Sequence, residues 1–169
     1  MRVESRPALT YCALPVEVTM STLTSAMGPA IDELERYMDS RGIQPSGPSL
    51  LRYRTVSERA PFIVEVGWVM EETPWIDVPF VADTLPAGRY AVAVHEGPYS
   101  QLSATTGELL DWGRAEHMIF DVIHTSEGSE WASWYELYTG VPAYGPDGPA
   151  GTVEVCVGVI DERQRHDAR

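Results

Sequence analysis

The order of hydrophobic periodicities constrains this chain more than any other feature. A β-like stretch, a helical stretch and two more β-like stretches follow one another, and the same plan then recurs. Leu9 to Val16 reads as a short strand. In "STLTSAMGPAIDELERYMDSRG" the apolar positions Leu23, Ala26, Met27, Ala30, Ile31, Leu34, Tyr37 and Met38 recur at three- and four-residue steps. Asp32, Glu33, Glu35, Arg36 and Asp39 fall opposite them, which predicts an amphipathic helix stopped at Gly42. "SLLRYRTV" and "PFIVEVGWVM", joined by the polar "SERA", read as a hairpin. In the second half "GRYAVAVHEG" is a strand. "PYSQLSATTGELLDWG" is a helix opened by Pro98, with Tyr99, Leu102, Thr106, Leu109, Leu110 and Gly113 inward. A less regular stretch, "RAEHMIFDVIHTSEGS", leads to the aromatic strand "EWASWYELYTG", and "TVEVCVGVI" closes the chain's β-rich part.

The predicted class is therefore α+β: a duplicated β-α-β-β repeat forming an antiparallel sheet, with both helices on one face. Repeat one spans about 8–72 and repeat two about 87–160, inside a single domain over about 1–160. The linker "EETPWIDVPFVADTLPA" joins them, and 161–169, "DERQRHDAR", is expected to be a flexible tail. Two helices on one face leave the other surface, or the seam between the halves, open to a ligand.

Charge and composition exclude several functions. There are 12 Lys and Arg against 25 Asp and Glu, a net charge of −13, so the basic footprint that nucleic acid demands is missing. No run of about 18 apolar residues is present, which argues against a membrane span. The N-terminus has no signal-peptide pattern, because Pro15 and Glu17 break its apolar stretch. The expected location is cytoplasmic. Cys12 and Cys156 make neither a zinc spacing nor a CxxC pair and read as reduced core thiols. The four histidines, His95, His117, His124 and His166, are scattered without metal-ligand spacing. No metal and no cofactor are expected.

The strand "EWASWYELYTG" poses the chemical question. Side chains on a strand alternate, so Trp134, Glu136 and Tyr138 share one face, and Trp131, Ser133, Tyr135 and Leu137 take the other. A carboxylate between two aromatics is either at the surface or costly. If buried, it must be paired, protonated or waiting for a charge.

Three further stretches, in order, resemble the GyrI-like small-molecule-binding domain, the effector-binding part of multidrug-sensing regulators. "LPAGRYAVAVHEGPY" resembles the family's approach to its second helix, "LLDWG" the end of that helix, and "WYELYTG" the strand that presents a ligand-facing glutamate. "FIVEVGWVM" adds the hairpin strand of the first repeat. The resemblance runs from about Leu9 to Ile160 and implies an SHS2-type duplicated fold in a free-standing member without a helix-turn-helix. One departure is "EHMIFDVIHTSEGSEW", longer and more apolar than the family's usual short turn.

The resemblance implies that Glu136 lies on the floor of an aromatic cleft between the repeats, with Trp134, Tyr138, Tyr99, Trp68, Trp112 and Tyr53 as wall candidates. Such a site suits planar, hydrophobic, often cationic small molecules. A delocalised cation loses little hydration, and aromatic walls supply burial with cation–π attraction of about 0.5–2 kcal/mol per contact. The ordinary alternative keeps Trp112 as packing, and Tyr99 as a staple on the helix start. The resemblance also implies a hydrolase that adds water to cyclopropane-containing DNA-alkylating natural products, with Glu136 as base and Tyr99 or Tyr138 polarising a carbonyl. A third class is a protein-interaction module such as a gyrase inhibitor. The residues alone do not separate the three.

Overall fold

A computed structural model describes residues 1–160; the expected tail over 161–169 lies outside the described residues. The described residues form ten strands and two α-helices. β1 is Arg2–Arg6, β2 Leu9–Val18, α1 Leu23–Arg41, β3 Ser49–Val56 and β4 Phe62–Val69. β5 is Val81–Leu85 and β6 Gly88–Pro98. A 3-10 turn over Tyr99–Gln101 then opens α2, Leu102–Ala115. β7 is Val122–His124, β8 Ser129–Tyr138, β9 Ala143–Gly145 and β10 Gly148–Val159.

The strands form one antiparallel sheet in the order β1-β6-β10-β8-β3-β4-β2-β5, curled into a half-barrel. Its centre is symmetric. The first repeat contributes β2-β4-β3 and the second β8-β10-β6, so β3, which follows α1, and β8, the long strand after α2, meet at the seam. α1 packs on β2 and β4 and α2 on β6, which leaves the seam between the helices on the face they share.

Alternation decides which side chains reach that face. Leu14 and Val18 of β2, Leu51 and Tyr53 of β3, Val64 and Val66 of β4 join one buried cluster with Ala91, Ala93, Trp134, Val153, Val155 and Val157. Ala30 from α1, and Leu102 and Leu109 from α2, close it from above. α1 runs as the periodicity predicts and stops at Gly42, which takes φ 66° and donates its N–H to the carbonyls of Met38 and Asp39.

Two strands depart from the sequence reading. β1 pairs with β6 although its sequence is mostly charged, because Arg2 and Arg6 bond Glu4 and Glu154 across this edge. β5 forms inside the Pro-rich linker and pairs with β2 as the opposite edge. Edge strands carry too little apolar signal to be read from periodicity. α2 also starts later than expected, since Pro98 still belongs to β6.

Candidate functional site

Glu136 lies at the seam, directly between Leu51 of β3 and Val155 of β10, and is 2% exposed. The Tyr53 hydroxyl donates to its Oε1 at 3.1 Å, and the Tyr138 hydroxyl donates to its Oε2 at 2.8 Å. Among the described residues no cation pairs with it. The arginines of the adjoining strand point away: Arg52 is buried on the opposite face with Tyr11, Asp83 and the Ala132 carbonyl. Arg54 bonds Glu65 at 2.8 Å and also Asp83. The sheet thus keeps its buried positive charge on one side and a solitary carboxyl on the other.

That isolation sets the electrostatics. Burial disfavours the ionised form and pushes the Glu136 carboxyl up to about 7, against the two tyrosine hydrogen bonds that favour the anion. The same burial, followed by the nearby carboxyl, holds the Tyr53 and Tyr138 hydroxyls well above their usual range, so both remain donors. Near neutral pH Glu136 is poised between its two forms, and a small stabilisation of the anion decides which one is present.

The surrounding rings form a connected set. Tyr53 stacks on Trp134 with centroids 4.4 Å apart. Trp131 meets Trp134 edge to face at 4.8 Å, and Phe120 meets Trp131 at 6.3 Å. On the other side Tyr99 meets Tyr138 edge to face at 5.4 Å. Gly151 of β10 makes room for Tyr99, because a Cβ there would lie 2.7 Å from its hydroxyl. The hydroxyl of Tyr99 and the indole N–H groups of Trp131 and Trp134 are buried with no hydrogen-bond partner among the described residues.

Four of the predicted wall residues, Tyr53, Trp134, Tyr138 and Tyr99, therefore gather around Glu136. Trp68 does not: it packs with Cys12, Leu34 and Met38 in a separate cluster beneath α1. Trp112 packs from α2 on the same core cluster that holds Tyr53 and Trp134. The sequence places the carboxyl on the floor of an aromatic cleft; in the fold it is enclosed by this cluster.

Alternation puts Trp131 on the far face, yet in the fold it joins the ring set beside Trp134. The reason is a break in the β3–β8 ladder. Tyr53 pairs with Trp134 and Thr55 with Glu130, so β8 carries extra residues there and its alternation slips. Nothing in the sequence marks this bulge. At the break a cleft of about 330 Å³ opens, lined by Arg54, Asp121, Ile123, Glu130 and Trp131 among others.

Comparison with known proteins settles the lineage. The family described as the GyrI-like small molecule binding domain matches residues 1–127 of the 169. The chain belongs to this family.

Solved structures share the GyrI-like fold at low identity. SAV2435 bound to tetraphenylphosphonium superposes with a TM-score of 0.58 at 9% identity, covering 99% of this chain and 98% of that one. The EcmrR C-terminal domain gives 0.62 at 15%, covering 95% and 96%. EcmrR in its DNA complex gives 0.65 at 16%, with 94% of this chain covering 56% of that longer one. No curated protein matches the sequence. Among the described residues no helix is long and apolar enough to cross a membrane, and no three His, Cys, Asp or Glu are grouped to hold a metal.

Proposed function

We propose that this GyrI-like domain binds planar, hydrophobic, often cationic small molecules at Glu136, for sensing, sequestration or resistance. The observation that carries this reading is a fully buried carboxyl with two tyrosine donors and no cationic partner among the described residues. Burying an ion without a counter-charge costs several kcal/mol, and a ligand that brings the counter-charge offsets that cost. Tyr53, Trp134, Tyr138 and Tyr99 would supply the flat apolar walls and cation–π attraction. The fold shared with a protein bound to tetraphenylphosphonium adds support by analogy. The net charge of −13 favours an organic cation over a nucleic acid as partner; the EcmrR–DNA complex belongs to a longer chain.

A ligand has to displace rings to reach Glu136. A titration with rhodamine 6G tests the reading: Glu136→Gln is expected to keep its fold and lose at least tenfold in affinity at pH 8. Equal affinity in both proteins defeats it.

A second reading has its own support. A carboxyl near 7 is matched to general-base work, and the buried Tyr99 hydroxyl has no partner among the described residues. In a hydrolase of cyclopropane-containing alkylators, Glu136 would take a proton from water as its oxygen attacks a ring carbon. The breaking C–C bond would push electrons into a conjugated carbonyl held by Tyr99, and the proton would end on that carbonyl oxygen. The product gains one water in mass. Incubation with such a compound decides it: no gain above buffer removes the reading.

A further inference from the structure

The segment between α2 and β8, longer and more apolar than the short turn the fold requires, has a definite place. Phe120 lies over Gly113 of α2, where a Cβ would come within 2.3 Å of its ring, and it also meets the Trp131 ring edge to face. Backbone bonds from Asp121 to Gly158 and from Ile160 to Ile119 fasten the segment to β10. This docking brings Asp121 and Ile123 into the lining of the cleft at the ladder break, together with Arg54 of β3 and Glu130 and Trp131 of β8.

The charge balance of that cleft is negative. Arg54 is already neutralised by Glu65 and Asp83. Asp121 and Glu130 have no side-chain hydrogen bond or ion pair among the described residues. Two unpaired carboxylates therefore face a volume of about 330 Å³ beside an indole ring and an exposed isoleucine. The ring is the inner wall as well. Trp131 touches Trp134, Trp134 stacks on Tyr53, and Tyr53 donates to Glu136.

We propose that this cleft is an outer binding site for organic cations, which holds them against Trp131 before they reach Glu136. The inference rests on the reading that Glu136 receives a cation, and adds where that cation first lands. Carboxylates in a cleft with low-dielectric walls focus the field and raise the local concentration of an oppositely charged ligand, while the indole face supplies apolar area and cation–π attraction. The consequence is kinetic. Asp121 and Glu130 govern how fast the ligand arrives, and Glu136 governs how long it stays.

Stopped-flow mixing with rhodamine 6G separates these roles. The double variant Asp121→Asn/Glu130→Gln is compared with Asp32→Asn/Glu35→Gln, which removes the same charge from the exposed face of α1. At low salt the cleft variant is expected to slow association by about fivefold or more, and the α1 variant by under about twofold. The gap should shrink at high salt, with dissociation unchanged in both. Equal slowing in the two variants overturns the outer site, while loss of binding in Glu136→Gln would still stand for the inner one. If the unaltered protein takes up no dye, both fall together.

Discussion

Tyr53 and Trp134 face each other across the seam of the two repeats, stacked at 4.4 Å, and from that stack Tyr53 reaches along β8 to Glu136. One pair thus joins three things: the contact between the halves, the wall of the candidate site, and the protonation of its carboxyl. Several consequences are measurable.

Glu136 makes stability depend on pH in a direction opposite to that of a salt-bridged acid. Its carboxyl is raised in the fold from 4.5 to about 7. Below about 4.5 both folded and unfolded chains hold the proton, and no penalty exists. Between there and about 7 the unfolded chain releases it first, so stability falls as pH rises, by about 3 kcal/mol in all. Glu136→Gln has no such proton. Urea unfolding should show the variant gaining on the unaltered protein by about 3 kcal/mol between pH 4 and pH 8. A constant difference across that range would mean that Glu136 ionises normally.

Tyr138→Phe removes the 2.8 Å hydrogen bond to Oε2 and keeps the ring. A hydrogen bond to a charged group is worth about 1.5–3 kcal/mol, so the carboxyl should climb by a further one to two pH units. Cation affinity at pH 7 is then expected to drop about tenfold or more and to recover as the pH is raised. Carbon-13 NMR of the Glu136 carboxyl reads the shift directly. An unchanged titration midpoint would show that this hydroxyl does not sense the charge.

Gly113→Ala tests the docked segment. The new Cβ meets Phe120 at 2.3 Å, so the ring has to move off α2. Overpacking of this kind costs about 1–3 kcal/mol. The amides of Asp121 and Val122, which bond Gly158 and Phe120, should exchange faster, while those of β3 and β4 should not. Uniform acceleration across the sheet would argue against a separately docked arm.

Much of this arrangement was legible in the residues. The stripes Ala30–Leu34–Met38 and Leu102–Thr106–Leu109–Gly113 define the buried faces of both helices. The alternation of Trp134, Glu136 and Tyr138 puts the carboxyl on the helix side of the sheet. What escaped did so for physical reasons. β1 and β5 are edges whose stability comes from ladder bonds and surface ion pairs, which leave no apolar period. The bulge that turns Trp131 toward Trp134 is a backbone event without a residue signature. Trp68 sits on the correct face of β4 but at a different place along it, and alternation fixes a side, not a position.

The central claim is that a cation takes the place of the proton on Glu136. Calorimetric titration with tetraphenylphosphonium in two buffers of different ionisation enthalpy counts that proton. At pH 6, about one unit below the folded carboxyl's midpoint, close to one proton should leave per cation bound, and affinity should rise about tenfold per pH unit up to about 7. Binding that releases no proton and does not vary between pH 5 and pH 8 would contradict the account.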